Sequence, residues 1–160
     1  MELFGRYGDY YDLLYRDKDY AAEAEYVTRV VCAAAPGVRT VLELGSGTGI
    51  HGRIMAAHGL AVTGIERSET MVALARARTA SGAGRGGFEC VAGDIRSAVL
   101  GRVFDAVVSL FHVVSYQTTN ADLEQTFATA SRHLVPRGVF FFDVWHGPAV
   151  LSDQIGRAHV

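Results

Sequence analysis

From residue 38 onward the chain alternates short apolar runs with stretches whose apolar positions recur at helical spacing. The pattern predicts strands over 40–44, 61–66, 88–92, 103–110 and 138–144, and helices over 50–58, 69–80 and 121–134. Phe104-Asp105-Ala106-Val107-Val108-Ser109-Leu110 and Val139-Phe140-Phe141-Phe142 are nearly continuous apolar runs. Runs of that kind suit a parallel sheet covered on both faces, and the strand–helix alternation predicts a doubly wound, mostly parallel α/β sheet. Its ligand is expected outside the carboxyl ends of the strands. Residues 81–87 are rich in glycine and are expected to form a flexible loop.

The first 37 residues differ from the rest. Six of the seven tyrosines precede residue 27, at 7, 10, 11, 15, 20 and 26. Tyr7, Tyr11 and Tyr15 repeat at i, i+4, so in a helix they share one face. Residues 1–37 are expected to form a helical lid or cap, most of its tyrosines packing on the sheet and Tyr11 and Tyr15 reaching the acceptor side of a site built by residues 38–154. Residues 155–160, Ile-Gly-Arg-Ala-His-Val, resemble the translation of a sequencing adapter. They are expected to be no part of the natural fold, which removes His159 as a candidate. The chain is thus expected to be a fragment, inactive by itself and cut after its fifth strand.

Composition narrows the partners. The 160 residues carry a formal net charge of −2, which gives no reason to expect nucleic acid. Hydrophobic residues make up 49% and charged residues 20%, an ordinary globular balance. Cys32 and Cys90 are far apart and lack metal-ligand spacing, so neither a disulfide framework nor a metal site is expected. No apolar run approaches a membrane span, and a cytoplasmic location is expected.

The chemistry gathers around Glu43-Leu44-Gly45-Ser46-Gly47-Thr48-Gly49. Alternating glycines between a strand and a helix let the backbone turn tightly and approach a ligand closely. Two more carboxylates follow at the ends of the next strands: Glu66 after 61–65, and Asp94 after 88–93. A loop with successive strand-end carboxylates suits an adenosine, held by ribose and adenine with no phosphate to neutralise.

These residues resemble the class I S-adenosylmethionine-dependent methyltransferases over about residues 38–144. Glu43 to Gly49 look like the family's first motif, Glu66 its ribose acid, and Gly93-Asp94-Ile95-Arg96 its adenine-site motif. Phe104 to Val108 and Leu134-Val135-Pro136-Arg137-Gly138-Val139 are similar to its fourth strand and the approach to its fifth, with Arg137 where the family usually has glycine. The resemblance implies S-adenosylmethionine as cofactor, held by Glu43, Gly45, Ser46, Gly47, Gly49, Glu66, Asp94, Ile95 and Leu110. Glu66 would accept from the ribose hydroxyls and Asp94 from the adenine amino group, with the Ile95 N–H facing a ring nitrogen. Glu43 and the glycine backbone would meet the methionine ammonium. Bland alternatives are a Glu43–Arg53 pair and an Asp94 turn cap.

The acceptor is expected to be N or O of a small molecule, including an aminosugar nucleotide, with no metal. Tyr10-Tyr11-Asp12-Leu13-Leu14-Tyr15 and Val113-Val114-Ser115-Tyr116 resemble enzymes of that kind. After strand four the chain has neither an Asn-Pro-Pro-Tyr-like sequence nor an aspartate suited to magnesium. His112 is the candidate general base, because histidine has the side chain with an ordinary pKa nearest neutrality; a backbone-bonded loop histidine is the other reading. Tyr116, Asp143 and Trp145 are expected to line the acceptor pocket. His51 and His58 are expected on a helix surface, and His133 near a helix C-terminus. Two rivals remain at this point: an NAD(P)-dependent oxidoreductase, since residues 47–52 match G-x-G-x-x-G, and a non-catalytic scaffold.

Overall fold

The computed structural model describes residues 17–79 and 86–147. Helix α1 (Tyr20–Ala34) leads into β1 (Thr40–Leu44), α2 (Ile50–Ala57), β2 (Ala61–Glu66), α3 (Glu69–Thr79) and β3 (Phe88–Ala92). Then come β4 (Phe104–Ser109), a 3-10 turn (Val113–Tyr116), α4 (Asn120–Arg132) and β5 (Leu134–Phe142). The five strands form one sheet in the order β3-β2-β1-β4-β5, and every pairing is parallel. The order reverses beside β1, which places its carboxyl end at the switch point where such sheets bind ligands.

Strand alternation sends successive side chains to opposite faces. Val41 joins Val62, Cys90, Ala106 and Val108 on one face, beneath α1, α2 and α3 through Ala24, Val27, Val31, Met55, Val72 and Ala75. Leu42, Leu44, Ile65 and Val107 form the other core with Ala130 of α4. Helix α1 therefore shares the sheet's own core. It starts at Asp19, whose carboxylate accepts from the Ala22 N–H at 2.9 Å. The remainder of the expected lid, with Tyr11 and Tyr15, lies outside the described residues, as do 155–160 and most of the 81–87 loop.

Two boundaries differ from expectation. Helix α4 begins at Asn120 because Thr119 caps it, accepting from the Asp122 N–H at 3.1 Å. It ends before His133, whose Nδ1 lies 2.8 Å from the Thr129 carbonyl while Nε2 accepts from the Leu100 N–H at 3.0 Å. Strand β5 begins at Leu134 rather than 138. Leu134 pairs with Phe104 and Val139 with Ala106, so residues 135–138 bulge opposite Asp105. Pro136-Arg137-Gly138 reads as a turn but is absorbed into the strand, and Arg137 takes a left-handed φ of 68° there. That backbone favours glycine, the residue that the family resemblance leads one to expect here.

Candidate functional site

The glycine loop crosses over the end of β2. The N–H groups of Gly45 and Ser46 both donate to the Ile65 carbonyl, at 2.8 and 3.0 Å. Gly45 has φ +75°, and a Cβ there would stand 2.6 Å from a Val113 methyl carbon. Only glycine meets both demands. Glu66 then anchors the loop, accepting from the Gly47 N–H (3.0 Å) with Oε2 and from the Ser68 N–H (2.8 Å) with Oε1. Each carboxylate oxygen has two acceptor positions, so Glu66 keeps capacity for two more donors while its orientation is fixed.

Glu43 faces α2 from β1 and is only 2% exposed. Its Oε2 has no hydrogen-bond partner among the described residues. A Cβ on Gly52 would stand 2.7 Å from that oxygen, so the helix can pass over the carboxyl only because position 52 is glycine. Burial, and then the Glu66 charge, push the Glu43 carboxyl up to about 8 against a downward pull from the Gly52 backbone. The Arg53 alternative does not hold: Glu43 forms no ion pair among the described residues, its Oε2 lacking any partner, and Arg53 Nε donates to the Gly49 carbonyl at 3.3 Å.

Asp94 does cap a turn, and it does more. Its Oδ1 accepts from the Arg96 N–H at 2.9 Å, and its carboxylate takes the Arg96 guanidinium side-on. Those hydrogen bonds from Arg96 hold the carboxyl down to about 2, although partial burial pushes the other way. The Gly93 N–H donates to the Glu66 carbonyl at 2.9 Å, which keeps the two strand ends together. The Ile95 side chain is buried in the second core.

After β4 the backbone is strained. Phe111 and His112 both have left-handed φ, 63° and 62°. Histidine tolerates that region better than most residues, whereas phenylalanine does not. Asp143, just past β5, accepts from the Phe111 N–H (3.0 Å) and the His112 N–H (2.7 Å). Asp143, expected to line the acceptor pocket, clamps this turn with its carboxylate. The His112 ring meets Trp145 edge-on at 5.8 Å, and its Nδ1 is buried, 3.8 Å from Asp143. Trp145 is tied down by its own N–H, which donates to Ser115 Oγ at 3.0 Å. Tyr116 is 74% exposed at the mouth.

His51 was expected on a helix surface. It is buried, because α1 lies across the first turn of α2. Its Nε2 stands 3.0 Å from Glu23, and its ring meets Tyr20 edge-on at 5.0 Å. Burial lowers the His51 pKa, against an upward pull from Glu23. Burial also pushes Glu23 up, but hydrogen bonds from Lys18 and His51 outweigh it and leave it lowered. Lys18 lies over the Phe111 ring at 3.4 Å from its centroid, so this cluster joins α1 to the strained turn. The available signal was that His51 and Met55 share one stripe of α2, the buried one. His58 is exposed and His133 closes α4, both as expected.

Gly45, Ser46, Gly47, Leu110 and Tyr116 line one cleft, together with Tyr20, His51, Phe111 and Val113. Glu66 borders it through Gly47, and Asp94 stands farther along the sheet edge. Among the described residues no cluster of three metal-ligating side chains occurs, and no helix is long and apolar enough to cross a membrane.

Known proteins resemble this chain in sequence and fold. A family model described as a methyltransferase domain matches residues 41–138. A dTDP-3-amino-3,4,6-trideoxy-alpha-D-glucopyranose N,N-dimethyltransferase of Streptomyces venezuelae is 36% identical over 149 residues, covering 92% of this chain and 60% of that protein. A dTDP-4-amino-2,3,4,6-tetradeoxy-D-glucose N,N-dimethyltransferase of Saccharopolyspora spinosa is 32% identical, covering 92% and 57%. The solved structure of an S-adenosylmethionine-bound amino pentose methyltransferase from Micromonospora echinaspora superposes with a TM-score of 0.78 at 36% identity, covering 86% of this chain and 57% of that one. The chain thus spans 57–60% of the length of these curated relatives. None of these matches favours the oxidoreductase reading. The chain belongs to the S-adenosylmethionine-dependent methyltransferase family and carries its methyltransferase domain.

Proposed function

We propose that this chain forms the cofactor-binding part of an enzyme that methylates the amino group of a small molecule, a nucleotide-linked amino sugar. The reading is carried by the two curated relatives, both named for N,N-dimethylation of such sugars. The site fits the cofactor on three counts. The buried Glu43 oxygen without a partner suits a cationic ammonium, the Gly45 cradle has no room for a Cβ, and Glu66 is an oriented acceptor with spare capacity.

Each residue then has a role. Glu66 accepts from the ribose hydroxyls, Asp94 from the adenine amino group, and Glu43 faces the ammonium, with Ser46, Gly47, Gly49, Ile95 and Leu110 shaping the walls. S-adenosylmethionine supplies a methyl group on a sulfonium, whose sulfur leaves as a neutral thioether when the acceptor nitrogen attacks in line. The protein's part is alignment, for which well-oriented reactants gain roughly 7–11 kcal/mol. His112 takes the proton that the acceptor nitrogen must lose, and Tyr116 and Trp145 form the acceptor wall.

The test is methyl transfer to a thymidine-diphosphate-linked amino sugar, followed by mass spectrometry, in a protein carrying this sequence at the length of its relatives. His112→Ala is expected to lower turnover by roughly 10²–10⁴ with cofactor affinity unchanged. Transfer to the corresponding hydroxyl sugar but not to the amino sugar would overturn the reading.

A further inference from the structure

Asp94 alone is a poorly restrained adenine reader. It stands at the open end of β3 with a side chain about a quarter exposed (26%), where a free carboxylate could rotate and hydrate. The chain prevents this with the residue two positions on. The Ser97 and Ala98 N–H groups both donate to the Asp94 carbonyl, at 3.0 and 2.9 Å, and this turn curls Arg96 back onto Asp94. Arg96 Nε donates to Oδ1 at 3.0 Å and Nη2 to Oδ2 at 2.6 Å, a side-on fork that fixes the carboxylate plane. The remaining arm, Nη1, donates to Asp122 Oδ1 at 2.7 Å. Asp122 lies in the first turn of α4 and is itself held by Thr119, whose Oγ1 donates to its Oδ2 at 2.9 Å.

We propose that Arg96, braced by Asp122, is a positioning residue that sets the preference of this site for adenine over other purines. The proposal rests on the reading of Asp94 as the adenine acceptor. Counting lone pairs shows why the fork does not block the ligand. Oδ1 already accepts from the Arg96 N–H and Nε, whereas Oδ2 has one short bond, to Nη2, and only the longer 3.2 Å leg of the shared Nε–H. Oδ2 therefore keeps an acceptor position for an amino N–H. A purine with a carbonyl at position 6 would bring oxygen against an ionised, immobile carboxylate and be rejected. Losing Arg96 also leaves Asp94 and Asp122 facing each other as like charges, which disfavours the ionised form of both.

The experiment is calorimetric titration of the 160-residue chain with S-adenosylhomocysteine and with S-inosylhomocysteine, which has a carbonyl where adenine has its amino group. In Arg96→Ala, affinity for the adenosyl compound is expected to fall about tenfold, the size of one hydrogen bond to a charged group. Inosyl affinity should hold or rise, so that the preference collapses. Asp122→Ala touches neither ligand and should lose several-fold of the same preference, whereas Asp122→Asn, which keeps an acceptor oxygen, should retain most of it. A cooperative melt like that of the unaltered chain reports that a variant is folded; if Arg96→Ala does not fold, Asp122→Ala decides. An unchanged adenosyl-to-inosyl ratio in both alanine variants would overturn the proposal. So would tighter adenosyl binding in Arg96→Ala, which would make Arg96 a competitor of the ligand. Failure of the unaltered chain to bind S-adenosylhomocysteine would strike the cofactor reading instead.

Discussion

On the proposed assignment Glu43 should make cofactor binding a proton-release reaction, and the size of the effect follows from its burial. A carboxyl held near 8 is about nine-tenths protonated at pH 7. Seating an ammonium against it favours the ionised form, so binding at pH 7 should expel about 0.9 proton per ligand. Affinity for S-adenosylhomocysteine should therefore rise from pH 6 to pH 8 by about 50-fold and flatten above that, since linkage allows at most about tenfold per unit. Titration calorimetry in two buffers of different ionisation enthalpy reads the proton count directly. Glu43→Gln should bind more weakly at pH 8 and lose the slope. The unliganded protein shows the opposite trend. There the folded state holds a proton that the unfolded chain has released, so this contribution to stability is fully present below about 4.5 and lost as pH rises through about 8. A binding constant flat from pH 6 to 8 with no proton released, or the same slope in Glu43→Gln, would refute the reasoning.

Other consequences follow from neighbouring residues. Glu66→Ala should weaken S-adenosylhomocysteine binding about ten- to a hundred-fold by calorimetry, from the roughly 1.5–3 kcal/mol of a hydrogen bond to a charged group; unchanged affinity would remove Glu66 from the site. Asp143→Ala removes the two hydrogen bonds to a carboxylate that hold Phe111 and His112 in their left-handed backbone, worth roughly 1.5–3 kcal/mol each, so its melting temperature should fall by about 2–4 °C per kcal/mol lost. Asp143→Asn should behave nearly as badly, because its amide N–H would face a backbone N–H; a melt unchanged in both would show that the turn holds itself. Among the described residues nothing pairs with the outer edge of β5, where Phe127, Phe140 and Phe142 stack and Phe127 and Phe142 are 38% and 39% exposed. An open apolar edge is a template for association; Phe142→Lys should reduce aggregation of the 160-residue chain by light scattering, and no change would clear this patch.

The order of elements could be read from the chain because its strands are apolar runs and its glycines mark a turn that other residues cannot make. Glu66 and Asp94 were legible as strand-end carboxylates and Glu43 as the acid leading into the glycine loop, which is a matter of local position. What they touch was not. Arg96 reaches Asp122 across 26 residues, and Asp143 reaches back to Phe111 and His112; no local pattern encodes such contacts. His51 was misplaced because a helix as short as Ile50–Ala57 has its buried face chosen by what lies on it, here α1. The start of β5 was misplaced because Pro136 and Gly138 signal a turn equally well when they form a bulge within a strand.

On the proposed assignment the loop over residues 45–49, with Glu66 and Asp94, holds an adenosine joined to an amino acid and not a dinucleotide. Titration of the monodisperse 160-residue chain with S-adenosylhomocysteine and, separately, with NAD at equal concentrations tests it most directly. Saturable binding of the first at one site, with no heat from the second, is the expected result. Binding of NAD, or of neither by a chain that melts cooperatively, would contradict it.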